Sequence, residues 1–244
     1  MKLWLYALGM CQSMFCAIPC PFHGWEEKAR DRMLLVLPFV GLEIGLLWWG
    51  VTALCRSLHL PPLLAALASG MFPYLVTGFI HLDGFLDVTD AAGSCRSLER
   101  RREILKDSHV GAFGVIGCGV LLLSQFAAAA SFPESVGILT LVPVVSRGCS
   151  ALAVTALPPM TTSQYAGRKT DPGRIVYLCV LLLAAVAAGF LLCGKRGFVL
   201  LAEMATYALA LRHAYRSLEG MNGDISGYAL TLSELTAAIA LAVI

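Results

Sequence analysis

Residues 175–193 read IVYLCVLLLAAVAAGFLLC, nineteen consecutive positions without an Asp, Glu, Lys or Arg. At 1.5 Å per residue such a helix is about 28 Å long, close to the roughly 30 Å hydrocarbon core of a bilayer. Lipid offers no partner to a backbone N–H or C=O, so the stretch predicts a transmembrane helix. Outward from it, six further apolar stretches read the same way: 33–54, 61–80, 110–130, 136–157, 197–211 and 228–244. The stretch 197–211 is short and carries Glu203. Residues 3–18 (LWLYALGMCQSMFCAI) are also apolar, but short for a span and followed by Pro19-Cys20-Pro21. A signal peptide needs a small-residue cleavage site, and IPCPF is a poor one. An interfacial or re-entrant helix is the better expectation. The fold expected is therefore an all-α integral membrane bundle of about seven transmembrane helices with an extra N-terminal helix, in one domain over 1–244.

Composition agrees. The chain is 58% hydrophobic and 14% charged, where soluble domains carry about 25% charge. A nucleic-acid-binding domain, a disordered chain and a secreted disulfide scaffold are excluded. Cys118, Cys149, Cys179 and Cys193 lie inside apolar runs without C-x-x-C spacing, which suits small membrane-embedded hydrophobes. The net charge of +2 carries no message, but the placement of charge does. Seven spans sort the polar segments into two alternating sets. One set holds fourteen of the eighteen basic residues: Lys2, Lys28, Arg30, Arg32, Arg96, Arg100, Arg101, Arg102, Lys106, Arg168, Lys169, Arg174, Arg212 and Arg216. The other holds Arg56, Lys195 and Arg196. By the positive-inside rule the first set is cytoplasmic, with the carboxy terminus outside.

Residues 81–109, HLDGFLDVTDAAGSCRSLERRREILKDSH, contain eleven of the 34 charged residues. Asp83, Asp87 and Asp90 are spaced i, i+4, i+7, which stacks three carboxylates on one helical face. The segment follows the stretch 61–80 without a break, which puts the first aspartates at that helix's cytoplasmic end. Like charges this close at a low-dielectric boundary demand protonation or a divalent cation, and carboxylate oxygens suit Mg²⁺ or Mn²⁺. The alternative is a solvated acidic helix end. Arg100-Arg101-Arg102 reads as an anchor to anionic headgroups. Lys106-Asp107-Ser108, followed by Gly111 and Gly114, would suit phosphate binding, although glycines also serve helix packing. Arg147 in mid-span needs a cavity, an acidic partner or a phosphate, and a structural ion pair is the competing reading. Asn222-Gly223-Asp224 leads into the last span, where Asp224, Asn222 or Ser226 would cap the helix. Glu234 lies inside that span. His81, His109 and Cys95 match no zinc-ligand spacing.

At these residues the sequence resembles the cobalamin synthase family, the adenosylcobinamide-GDP ribazoletransferases. TGFIHLDGFLDVTDA at 77–91 is similar to the family's T-x-x-x-H-L-D-G-x-x-D-x-x-D-G block, and ERRREILKDSHVGAFGV at 99–115 to its R-x-x-I-M-K-D-S-x-I-G-x-x-G-V. AIPCP with LPFVGLEIG at 37–45 resembles the family's beginning, and GMNGDISGYALTLSELTAA at 220–238 its end. Four positions depart from the pattern: Ala17 and His109 stand for Arg, Ala91 for Gly, and Thr231 for the first Glu of the last block. The Arg and Glu replacements bear on substrate contact.

The resemblance implies a multi-pass enzyme of the bacterial cytoplasmic (inner) membrane with its site on the cytoplasmic face. It would join adenosylcobinamide-GDP to α-ribazole, or to its 5′-phosphate, with release of GMP and a requirement for Mg²⁺. Asp83, Asp87 and Asp90 would hold the metal, and Asp90 or Asp107 would take the hydroxyl proton. His81, Lys106, Ser108, Arg147, Asn222, Asp224 and Glu234 would contact substrate. Membrane lipid is an expected partner and nucleic acid is not; a homo-oligomer, or association with other cobalamin-assembly enzymes, stays open. Two alternatives compete. A CDP-alcohol phosphotransferase would need Ala-Arg after D-G-x-x, where this chain has Asp87-Val88. An ion-coupled transporter would use Arg147, Glu203 and Glu234 as a relay, but there is no inverted repeat.

Overall fold

The computed structural model describes residues 2–20, 24–160 and 171–244; Pro21, Arg168 and Lys169, used above, lie outside them. Among the described residues there are eleven α-helices and no strand. They are α1 Lys2–Phe15, α2 Glu27–Arg30, α3 Met33–Ser57, α4 Pro62–Val76, α5 Ile80–Gly93, α6 Leu98–Ile104, α7 Ala112–Ala130, α8 Val142–Ala156, α9 Pro172–Cys193, α10 Phe198–Leu218 and α11 Gly223–Val243. Large apolar side chains such as Leu123, Leu183, Leu191 and Val243 point outward, as the surface of a multi-pass membrane protein requires.

Five helical runs are long and apolar enough to cross a membrane, or six if a bent pair counts as one span, where the sequence suggested seven. The difference has two sources. The first is that Pro172–Leu218 passes as a single run of 47 residues. The chain nonetheless doubles back inside it. Phe190 meets Phe198 edge-on at 5.0 Å, and a Cβ on Gly189 would stand 2.6 Å from Leu200 Cδ1. In a straight helix residues 189 and 200 would be about 16 Å apart. The turn is the segment Gly194–Gly197, opened by Gly194 at φ +59. The helix expected over 197–211 continues to Leu218.

The second source is a break after α4. The stretch 61–80 is not one helix continuing into the aspartates: α4 and α5 meet at 85°. Phe79 N–H bonds Tyr74 O at 2.9 Å and Gly78 N–H bonds Leu75 O at 3.1 Å, the two bonds of a helix-terminating Schellman turn. Gly78 adopts φ +58 and Phe79 φ +64. Glycine takes that left-handed conformation readily, whereas phenylalanine is strained by it. Within α4, Pro73 cannot donate to Ser69 O, and the Trp48 indole N–H from α3 occupies that carbonyl at 2.8 Å.

Contacts between chain segments define two ends of the bundle. At one end Arg174 pairs with Asp31 at 3.3 Å, Arg102 bonds Leu218 O and Glu219 O, and Met160 N–H bonds Met221 O. These are the segments that carry the basic set. At the other end Arg56 reaches the carbonyls of Phe132 and Glu134. α1 runs beside the first half of α3, from Trp4 under the Arg32 guanidinium to Gln12 bonding Glu43 at 2.9 Å. Further along, Glu26 N–H bonds Met10 Sδ at 3.4 Å, so the segment before α2 packs back on α1.

Candidate active site

Because of the break, α5 lies across the first turns of α11 and α7. Its crossing with α11 is backbone on backbone. A Cβ on Gly84 would stand 2.9 Å from Asp224 Cα and from its carbonyl oxygen, and one on Gly227 would stand 3.3 Å from His81 Cα. Phe85 stacks on Tyr228 at 5.6 Å, and Thr231 donates to His81 O at 3.1 Å. This crossing brings Asp224 to the acidic face of α5: Asp87 lies within electrostatic reach of Asp83, Asp224 and Asp90. Asp83 is exposed, and Asp87 and Asp224 are half-buried. Neither the Asp83 nor the Asp87 carboxylate makes a hydrogen bond or ion pair among the described residues. Asp224 is steadied by Asn222, whose Nδ2 donates to it at 2.7 Å while its Oδ1 caps α11 by accepting Ile225 N–H at 2.9 Å.

Asp90 does something different. Its Oδ2 accepts the amide N–H of Gly111 at 2.7 Å and its Oδ1 that of Gly114 at 2.8 Å. The carboxylate caps α7, where the unsatisfied amides and the helix dipole favour an anion. Gly111 and Gly114 are seats for that carboxylate, since a Cβ at either would collide with it. With both oxygens so engaged, Asp90 positions α5 on α7.

Arg147 takes the ion-pair arrangement that competed with phosphate binding in the sequence. It is fully buried and pairs through Nη1 with Glu234 Oε1, to which Ser146 Oγ donates at 2.7 Å. An intramembrane arginine needs an acidic partner, and Glu234 is that partner, while Arg147 Nε and Nη2 stay unpartnered among the described residues. Lys106, Asp107 and Ser108 form an exposed loop between α6 and α7. Asp107 accepts from His109, side chain at 2.7 Å and backbone at 3.0 Å, and these bonds hold its carboxyl below the usual range. None of the three makes a described contact with Asp83 or Asp87. Of the Arg triplet, Arg101 and Arg102 tie α6 to the end of α10, and Arg100 pairs with Glu103 at 2.6 Å. His81 stacks on Phe15 at 6.1 Å, with its buried Nε2 unpartnered among the described residues.

Among the described residues no three His, Cys, Asp or Glu side chains converge into a ready metal cage. What remains is a pair of unpaired carboxylates one helical turn apart, with Asp224 beside them. Such a hard-oxygen set fits Mg²⁺ when phosphate oxygens complete the shell, because that ion is held by one or two carboxylates and keeps its other positions for substrate and water. Gly84 is the functional position that motif reading passed over. Its signal was present, since a glycine inside a helix needs a reason, and the reason is close backbone contact.

Fold and site together define a polytopic membrane protein that presents an acidic, phosphate-compatible face at one end of its bundle. The cobalamin-5-phosphate synthase family model matches residues 7–242. The chain is 35% identical to the adenosylcobinamide-GDP ribazoletransferase of Clostridium perfringens strain SM101, over the full length of both. The same-named proteins of Brevibacillus brevis strain 47 and Clostridium botulinum strain Alaska E43 are 33% and 32% identical. Each comparison covers 96% of this chain, and 95% and 96% of the relatives respectively. No solved structure matches. The chain belongs to the cobalamin-5-phosphate synthase family.

Proposed function

We propose that the chain joins adenosylcobinamide-GDP to α-ribazole or its 5′-phosphate, releasing GMP and forming adenosylcobalamin or its 5′-phosphate. The observation that carries this reading is the crossing of α5 and α11, which sets Asp224 against Asp83 and Asp87 without a basic partner. The ribazole hydroxyl oxygen attacks the phosphorus on the cobinamide side of the pyrophosphate. A new P–O bond forms as the P–O–P bridge breaks, and the bridging oxygen leaves with GMP. The hydroxyl proton passes to a carboxylate, and Asp224 is the one not required as a ligand. Asp83 and Asp87 would hold Mg²⁺, which supplies charge neutralisation at the pyrophosphate and at the departing nucleotide. Asp90 and Asn222 contribute by fixing the helix ends that carry these groups.

The basic segments gather at the same end of the bundle as this site, which supports a cytoplasmic orientation in a bacterial inner membrane. The decisive assay incubates purified protein in detergent with adenosylcobinamide-GDP, α-ribazole and Mg²⁺. Stoichiometric GMP and a complete corrinoid are the expected products, and absence of both overturns the reading.

A further inference from the structure

At the end of the bundle opposite the aspartates lies a cleft of about 260 Å³, walled by the end of α3, the start of α4 and the end of α7. Its floor is Thr52 and Ser69, both buried. Thr52 donates to Trp48 O at 2.9 Å and the two hydroxyls bond each other at 2.6 Å, so no donor is left there for a ligand. Arg56 and His59 line the mouth, beside Leu60 and Phe132. Arg56 bonds the carbonyls of Phe132 and Glu134, which engages two of the five N–H donors of a guanidinium. No carboxylate pairs with it among the described residues, and none lines the cleft. Glu134 meets Arg56 through its backbone and has an exposed side chain. α3 ends with His59 N–H on Arg56 O at 2.9 Å and Leu60 N–H on Cys55 O at 3.1 Å. That is a Schellman turn, whose left-handed position ordinarily falls to glycine. Here it is His59, at φ +52, which brings an imidazole to the cleft.

Arg32 and Arg56 bracket α3, about 36 Å apart along its axis, and a hydrocarbon core is about 30 Å thick. With Arg32 at one headgroup level, Arg56 stands at the other. Beside it Leu63, Leu64 and Leu67 point outward from α4. We propose that the cleft binds the phosphate of an anionic phospholipid in the leaflet opposite the acidic site, with Arg56 as its charge partner and the acyl chains laid along those leucines. Charge, size and place all support this. An arginine at the bilayer surface without a carboxylate partner attracts an anionic headgroup, and its planar fork suits phosphate oxygens. The volume is below the roughly 300–1,000 Å³ that encloses a whole drug-sized ligand. The cleft therefore takes a headgroup and leaves the rest of the molecule outside. Because no carboxylate is present to receive an ammonium, phosphatidylglycerol fits better than phosphatidylethanolamine. A lipid so held touches α3, α4 and α7 at once, and it stabilises the folded bundle because the unfolded chain offers no such cleft.

The test follows thermal unfolding of the purified protein in detergent with and without phosphatidylglycerol, phosphatidylethanolamine or inorganic phosphate, and counts retained lipids by native mass spectrometry. Phosphatidylglycerol at about a hundredfold excess over its Kd should raise the midpoint by about 5 °C or more, with one lipid retained most tightly. Phosphatidylethanolamine should raise it by less than half as much, and inorganic phosphate should leave it unmoved. Arg56→Gln should weaken phosphatidylglycerol binding about fivefold or more and remove most of the shift, while Arg56→Lys keeps the charge and most of the shift. Ala130→Trp, which fills the cleft from α7, should remove the shift with the arginine intact. Lys195→Gln takes a cation from the turn after α9, outside the cleft, and should leave the shift unchanged. Each comparison is of the lipid-induced shift, so a lower starting midpoint from loss of the Arg56 bonds to Phe132 and Glu134 does not enter. Equal shifts from the two lipids, or a full shift in Arg56→Gln, overturn the proposal. A shift from inorganic phosphate as large as that from phosphatidylglycerol makes the cleft a site for free anions and overturns the lipid assignment. An equal loss in Lys195→Gln reveals a diffuse surface charge and overturns it too. Should one cleft variant fail to fold, the other decides together with the two-lipid comparison in wild type.

Discussion

Asp90 Oδ1 accepts the amide N–H of Gly114 at 2.8 Å, and through this bond and its companion to Gly111 a carboxylate of the acidic block becomes the cap of α7. The block therefore contains two kinds of aspartate at helical spacing, one bound to backbone and two facing open space. Removing the cap should cost stability. Asp90→Ala should lower the unfolding free energy by about 1–3 kcal/mol, with Asp90→Asn intermediate. Thermal unfolding in detergent checks this, and an unshifted midpoint would remove the capping role.

The unpaired aspartates should behave in the opposite way. Asp83→Asn and Asp87→Asn each relieve repulsion and break no hydrogen bond, so thermal stability should hold or rise slightly. Turnover should fall by about a hundredfold or more, as befits loss of an electrostatic group at the reacting phosphate. Parallel melting curves and GMP-release rates make the comparison. Near-normal turnover at ordinary Mg²⁺ would exclude the metal-holding role.

Gly84 is the hinge of the arrangement. In Gly84→Ala the new methyl would meet Asp224 backbone at 2.9 Å, which no side-chain rotation relieves. α5 and α11 must then separate, at a cost of about 1–3 kcal/mol, with loss of activity. Gly119→Ala in α7 is the control, since nothing lies within 4 Å of its Cβ position. Equal effects from the two changes would point to a general intolerance of added volume.

The buried Arg147–Glu234 pair predicts a non-additive cycle. Either Arg147→Met or Glu234→Leu alone strands a charge inside the bundle and should destabilise by about 3–5 kcal/mol, whereas the double change should recover most of that loss. If Arg147→Met instead left the melting midpoint unmoved and raised KM for the corrinoid nucleotide, Arg147 would be a substrate contact.

Asp107 supplies a pH test. Its carboxyl is held low by the hydrogen bonds from His109, so it is ionised across the working range and is a weak proton acceptor. A depressed pKa means that the contact with His109 is present above the ordinary carboxylate range and is lost only as pH falls through the lowered value. Asp107→Asn should therefore leave the acid limb of the kcat/KM profile in place. Asp224→Asn should abolish that limb together with most of the rate. A limb removed by Asp107→Asn would return the proton-acceptor role to that residue.

Much of the site was legible in the chain. Three aspartates at i, i+4, i+7 announced an anionic helical face, and the blocks around them announced the family. Less legible was which aspartate does what. The spacing that aligns Asp83, Asp87 and Asp90 says nothing about the amides of Gly111 and Gly114, which arrive from another helix. Arg147 showed the same limit. Its burial was readable from the apolar run around it, but its partner lay 87 positions away.

The sequence by itself determined that this protein lives in lipid, which end carries the basic segments, and which family it belongs to. Those properties are sums or local patterns, since hydrophobicity, charge placement and motif spacing need no knowledge of neighbours. Only the tertiary structure decided that 61–80 breaks at Gly78 and Phe79, that α5 turns across α7 and α11, and that Asp224 comes beside Asp83 and Asp87 while Asp90 caps α7. A helix face becomes a site only when another backbone approaches it, and here that approach depends on the missing side chain of Gly84.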